Sequence, residues 1–316
     1  MAIVELESTR LADRPPRFGI ARLEAIWGYV FISPWLVGFV LLTLIPMVAT
    51  LVFSFTNINL LQDRPLEFVG LENYRRVLSD PRTWDALIVT FKFALFSLPV
   101  SLVFPFALAL MLNSKSLRGS RYFQALFFMP FVIPFVAAIF AWQGMLNPDA
   151  GWINGVLRTI GISGPDWIND PSWIYPSLIM IGLWGIGSAI IINLAGLQNV
   201  PTELYDAARV DGAGYWGQLR NVTLPLMSPV IFYSLVLGII GVLQYFLVPL
   251  VLNTGDGRPA GTTFFFNVLL YKTFFTFQDM ASGATLAWIL FVVILAITLL
   301  LFWSARYWVY YAGDTK

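Results

Sequence analysis

Hydrophobic and polar positions in this chain alternate in long blocks rather than at short periods. Stretches 25–62, 93–114, 122–148, 171–202, 221–255 and 280–305 contain no charged residue. Each exceeds the ~20 residues that a helix needs to cross ~30 Å of hydrocarbon. The pattern predicts six spans, at 25–55, 86–112, 122–146, 173–197, 227–252 and 283–306. The apolar stretch 259–271 is too short to cross and reads as a loop helix or re-entrant segment. Pro34, Pro46, Pro99, Pro105, Pro130, Pro134, Pro176 and Pro249 fall inside these blocks. Each removes a backbone donor and can kink its helix where neighbours re-satisfy the backbone. Kinked helices suit a moving bundle, and ordinary membrane-helix proline fits the same observation.

Composition supports this fold class, an all-α polytopic membrane protein. Of 316 residues, 58% are hydrophobic and only 12% charged, about half the charge of a soluble domain. The chain divides into a leader at 1–24, a six-span domain at 25–309 and a tail at 310–316. The first apolar run follows a polar leader and is longer than a signal-peptide core, so it reads as a retained span. The absence of Cys and His removes disulfides, thiolate chemistry, Cys-based zinc and the commonest general base. A net charge of +1 argues against a nucleic-acid surface.

Basic residues set the expected orientation. Eleven lie on the side of the termini: Arg10, Arg14, Arg17, Arg22, Lys115, Arg118, Arg121, Arg209, Arg220, Arg306 and Lys316. Seven lie opposite: Arg64, Arg75, Arg76, Arg82, Arg158, Arg258 and Lys272. The loop NSKSLRGSR is basic without any acid. Both termini are therefore expected in the cytoplasm. Lys92 is the one charge inside a predicted span. It marks either a functional ion or a lysine snorkelling from under two turns below the outer end.

Between spans four and five lies LQNVPTELYDAARVDGAGYWGQLRNVTLPLMSP. Pro201 suits a first helical turn, and Glu203 and Asp206 place negative charge near a helix N-terminus. Leu204, Ala207, Ala208 and Asp211 share a flank, and Gly212 sits where a C-terminal cap needs a left-handed residue. A second short helix is expected through Trp216 and Leu219, ending before Leu224 and Pro225. This helix–turn–helix elbow offers small alanines, either for docking by another protein or for packing on its own bundle.

Asp206-Ala207-Ala208, then Gly212, then Val222-Thr223-Leu224-Pro225 resembles the EAA loop of ABC importer permeases. Asp replaces the usual Glu and Val the usual Ile, with spacing kept. VPTELYDAARVDGA looks like the carbohydrate branch of that family, and GYVFISPWLVGF, FVGLENYRRVL, FFMPFVIPFVAAIFAWQGMLNPDAGWIN and TGDGRP extend the likeness over nearly the whole chain. The resemblance is nearest to the multiple-sugar and glycerol-phosphate subgroup.

It implies one of two permeases above an ATPase dimer, whose clefts receive the EAA loops (here 198–226) and whose closure on ATP turns the pore outward. Glu203, Asp206, Ala207, Ala208, Gly212, Leu224 and Pro225 would couple to the ATPase. A solute-binding protein would deliver carbohydrate from outside. ATP and Mg would bind the partner, since this chain has no Gly-Lys pair and hence no phosphate loop of the Walker type. No cofactor and no nucleic acid is expected here.

Solute would bind near the midplane. Trp184, Gly185 and Ser188 share a face of span four, and Gly238, Gly241, Gln244 and Tyr245 are similarly spaced in span five. Aromatic faces stack on sugar rings and hydroxyl or amide groups bond them, although small residues also serve helix packing. A secondary transporter is the alternative, but it would be expected to carry ion-coupling carboxylates within its spans, and none falls there. A membrane-embedded enzyme would lack His, Cys and an intramembrane carboxylate pair.

Overall fold

The computed structural model describes residues 19–61, 65–114 and 117–310. Arg10, Arg14, Arg17, Arg64, Lys115 and Lys316, most of the leader and nearly all of the tail lie outside the described residues. Among the described residues the fold is helical, without a strand; an isolated bridge pairs Thr56 with Phe68. The chain forms two units, divided after Phe53.

The first unit is an apolar helical rod. α1 (Ile20–Phe39) passes through a π-turn (Val40–Leu44) into α2 (Ile45–Phe53), and in its 33-residue apolar stretch 21–53 no side chain is buried. Pro46 stands two residues after that π-turn. The π-turn pairs Ile45 N–H with Val40 O, five residues back. That shifted register skips the donor a proline lacks.

In the second unit, α3 (Glu72–Ser79) leads into α4 (Pro81–Leu112). Pro81 fills the first helical position and the Asp80 carboxylate accepts the Arg82 N–H as a cap. At 32 residues α4 is about 48 Å long, so it overshoots the hydrocarbon. It starts five residues before the expected span. Lys92 is consequently eleven residues into the helix rather than under two turns from its end, and its side chain is exposed. The 20 residues that follow it in α4 match the length that crosses a bilayer.

The predicted third and fourth spans are not straight. α5 (Ser120–Phe128) continues as a 3₁₀ turn (Met129–Val132) and meets α6 (Phe135–Met145) at 99°. Ile133 precedes Pro134, whose ring disfavours helical backbone before it, and both adopt extended ψ values of 129° and 127°. After α7 (Trp152–Thr159), α8 (Ile174–Trp184) and α9 (Gly187–Gln198) meet at 62° across Gly185-Ile186. Gly187 permits the close approach of α5: a Cβ there would stand 2.6 Å from Phe127 O.

α10 (Thr202–Val210) and α11 (Tyr215–Gln218) form the elbow. α11 does not stop before Leu224 as expected. It runs through a second π-turn (Leu219–Thr223) into α12 (Leu224–Leu243), with Leu224 N–H bonded to Leu219 O. The same register slip absorbs Pro225 that absorbs Pro46. α13 (Leu247–Asn253) follows a break. α14 (Phe266–Tyr271), with a π-turn (Lys272–Thr276), is the short helix expected near 259–271. Its Phe266 and Val268 are fully buried, and Phe266 N–H donates to Thr90 Oγ1 on α4 at 2.9 Å. α15 (Met280–Trp308) closes the bundle.

Among the described residues, four helical stretches are long and apolar enough to cross a membrane, 21–53, 81–112, 215–253 and 280–308, or up to six if each bent pair is one span. The main core gathers Phe93, Trp142, Leu178, Leu243, Phe265 and Leu290 from α4, α6, α8, α12, α15 and the segment before α14. A smaller cluster of Ala109, Leu112, Ile190, Leu194, Leu197 and Met227 sits at the elbow end of α4. α3 and the N-termini of α4 and α15 lie at its opposite end.

Candidate functional site

The elbow is built by local chemistry. Pro201 stands just outside α10 as its N-cap, and Glu203 lies in the first turn. Asp206 is one turn further on and pairs with Arg209; it is not in the first turn. Gly212, at φ +80°, ends the helix. Ala213 N–H bonds Ala208 O at 2.8 Å and Gly212 N–H bonds Arg209 O at 3.0 Å, the paired capping bonds that a left-handed residue after the helix allows. Tyr205 and Thr223 share a hydroxyl hydrogen bond of 3.0 Å, which ties α10 to the π-turn.

Leu204, Ala207, Ala208 and Asp211, predicted to share a flank, line one groove of about 600 Å³ with Pro225 and Tyr310. Of the predicted coupling residues the structure thus brings together Ala207, Ala208 and Pro225. Glu203 and Asp206 are exposed outside it, Gly212 shapes the turn, and Leu224 faces a different cavity. Sequence reasoning missed Val210, 89% exposed, and Trp216, 77% exposed. Neither lines the groove, although their neighbours Asp211 and Gly217 do. Val210 and Trp216 stand among other apolar residues of the loop, including Leu204, Ala207, Ala208 and Leu219, so no distinct signal marked them.

A second cavity, of about 460 Å³, opens where α4, α9 and α12 meet, within the usual range for small-molecule sites. Gly185, Ser188 and Gly238 line it, as do Ser101, Asn193 and Ser234. These last three, with Tyr233, were not singled out from the sequence; isolated polar residues inside apolar spans were the available signal. A neighbouring cavity of about 200 Å³ holds Gly241, Tyr245 and Ser97, and shares Ser101, Ile186 and Gly238 with the first. Gly238 fits tightly, since a Cβ there would lie 2.7 Å from Leu98 Cδ1, whereas Gly241 faces open space.

Trp184 lines neither cavity. Its ring meets Trp142 edge-on at 5.6 Å. Gln244 lines neither, its carbonyl accepting from Asn267 at 3.0 Å. Tyr245 packs on Phe93 at 4.8 Å and Phe265 at 5.4 Å, with its hydroxyl buried and without a hydrogen bond among the described residues. α12 ends at Leu243, so the helical spacing that grouped Gly238, Gly241 and Tyr245 does not hold through the last of them.

At the other end, Asp256 is flanked by Lys272 at 2.9 Å and Arg258 at 3.4 Å. The Lys272 ammonium, hydrogen-bonded to it, and then the Thr254 hydroxyl hold its carboxyl below the ordinary aspartate range.

The long apolar helices, bent at a cavity and joined by an exposed elbow, make this a multi-pass helical membrane protein. The chain belongs to the family described as binding-protein-dependent transport system inner membrane component, which matches residues 78–309. It is 33% identical to the probable ABC transporter permease protein YesP of Bacillus subtilis, over 96% of this chain and 98% of that one. It is 31% identical to the lactose transport system permease protein LacF of Rhizobium radiobacter, over 92% and 97%. A third relative, the trehalose/maltose transport system permease protein MalF of Thermococcus litoralis, is 31% identical over 87% and 92%. The fold matches a chain of the crystal structure of a bacterial alginate ABC transporter in complex with a pentasaccharide-bound periplasmic protein. There the TM-score is 0.78 at 21% identity, over 90% of this chain and 95% of that one.

Proposed function

We propose that this chain is a pore-forming permease subunit of an ABC importer that carries a carbohydrate across the cytoplasmic membrane. The carrying observation is end-to-end similarity to permeases named for lactose and for trehalose and maltose, together with a cavity lined by hydroxyl and amide groups at the breaks of its helices. In this reading the two bent pairs are spans three and four, giving six spans with both termini cytoplasmic. Residues 25–309 form the permease domain and 198–226 the coupling loop.

The elbow groove receives an ATPase subunit, which supplies ATP and Mg chemistry to a chain that is itself not a catalyst. Glu203, Asp206, Ala207, Ala208, Gly212, Leu224 and Pro225, with Val210 and Trp216, make or shape that contact. A second permease completes the pore, and a solute-binding protein feeds it. Gly185, Ser188, Gly238 and Gly241 border the solute path and Tyr245 forms part of its wall, whereas Trp184 and Gln244 lie outside both cavities.

Inactivating this chain in its source organism and measuring uptake of a panel of labelled mono- and oligosaccharides tests the proposal. Selective loss of one carbohydrate, restored by the parental chain, is expected. Unchanged uptake across the panel, with loss of a non-carbohydrate solute instead, contradicts it.

A further inference from the structure

The chamber of about 200 Å³ beside the larger cavity is bounded mainly by α4, α8 and α12, with Tyr245 just beyond the last. Most of its wall is apolar, from Phe93, Leu178, Leu183 and Val242. Three hydroxyl residues interrupt it, Ser97, Ser101 and Tyr245. Ser101 Oγ donates to Leu98 O at 2.9 Å. Ser97 is only 9% exposed, and its Oγ and the Tyr245 hydroxyl are buried without a hydrogen bond among the described residues. A buried polar group left unpaired costs its full desolvation penalty. Two of them on one chamber call for a partner that the chain does not supply.

Glycines give an independent sign. Gly182 and Gly241 lie inside α8 and α12 and line the same chamber. Glycine inside a helix weakens it relative to alanine, and close packing is the ordinary reason to find it there. Gly187 has that reason, since a Cβ would meet Phe127 O at 2.6 Å. At Gly182 and Gly241 nothing stands within 4 Å of where a Cβ would be. Packing does not explain them, whereas the space in front of them does. A chamber kept open by two glycines, apolar over most of its wall and carrying two unspent hydroxyls, is the complement of a group with apolar faces and hydroxyls at its edge. A single sugar ring is such a group.

We propose that this chamber is a deep subsite for one terminal sugar unit of the solute, with Ser97 and Tyr245 bonding its hydroxyls and Gly182 and Gly241 keeping it open. The inference rests on the importer reading given above. The chamber joins the larger cavity through the shared residues Ser101, Ile186 and Gly238, so further sugar units extend into that space. Ser97 makes α4 a source of specificity. A sugar that lacks the matching hydroxyl leaves Ser97 or Tyr245 unpaired and is rejected for that reason.

The test uses the complete transporter in proteoliposomes, supplied with saturating loaded binding protein and a panel of labelled mono- and oligosaccharides that identifies the carried sugar. Ser97→Ala, Tyr245→Phe, Gly182→Ala and Gly241→Ala are compared with the parent for maximal uptake and for unfolding temperature. Each change removes an unpaired hydroxyl or a helix glycine, so the unfolding temperature should hold or rise while uptake falls about tenfold. In the parent, one monodeoxy analogue of the carried sugar should be taken up about tenfold more slowly than the sugar itself. In Ser97→Ala or Tyr245→Phe that difference should vanish. Unfolding temperatures that fall together with uptake make the four packing residues and overturn the subsite. Uptake within twofold of the parent in all four variants overturns it as well, and leaves the importer reading standing. A parental complex that takes up no carbohydrate of the panel overturns the importer reading instead.

Discussion

Trp216 gives the sharpest handle on the elbow. It is 77% exposed in the isolated chain, so replacing it with Ala removes little that holds the fold. A tryptophan can bury ~150–250 Å², which leaves about 120–190 Å² for a partner to cover. At ~25 cal/mol per Å², full coverage contributes about 3–5 kcal/mol and half coverage about half of that. Water at the rim and side-chain ordering offset part of the gain. We expect Trp216→Ala to cost about 2 kcal/mol of association, roughly a 30-fold rise in Kd.

The measurement is equilibrium binding of the purified ATPase subunit to nanodisc-embedded permease, for parent and variant at matched permease levels. Insertion and thermal unfolding of the permease should be unchanged. An ATPase Kd within twofold of the parent refutes the reasoning, and would leave Trp216 as an aromatic at the membrane–water interface.

Single cysteines introduced into this Cys-free chain at 113–121 and 198–224 should react with impermeant reagents only from the cytoplasm; labelling in intact cells reverses the orientation. Ser188→Val, which adds bulk and removes a hydroxyl at the wall of the 460 Å³ cavity, should lower maximal uptake severalfold while complex assembly is unchanged; equal loss of both makes Ser188 a packing residue. Asp256 has its folded-state pKa depressed, so its ion pair stabilises above the ordinary aspartate value and is lost as pH falls through the lower folded value. The gap in unfolding temperature between parent and Asp256→Asn should therefore hold from neutral pH into the ordinary aspartate range and close below it. A gap independent of pH contradicts that assignment.

How far the chain could be read from its sequence depends on how local each feature is. The Gly212 cap was legible because one residue's backbone freedom decides it. The apolar blocks were legible because hydrocarbon thickness sets a length that composition alone reveals. Pro225 misled, since proline stops an α-helix only while the register stays α, and the π-turn at Leu219–Thr223 shifts it. The 99° bend needed Pro134, which is visible, and the seat that Gly187 gives α5, which is not. The wall of the cavity was hardest. Ser101, Asn193 and Ser234 come from three helices, and nothing in their spacing says that they face one another. Tyr245 was placed by a helical period that ends two residues too soon.

The most direct measurement is ATP-driven uptake into proteoliposomes carrying this chain with its second permease and ATPase. Labelled carbohydrate is supplied on the face away from the ATPase, together with the binding protein. Accumulation that needs ATP on the ATPase side and the binding protein, and that survives collapse of ion gradients, is the predicted result. Accumulation by this chain alone, driven by a proton or sodium gradient and indifferent to ATP, would make it a secondary carrier and contradict the importer function.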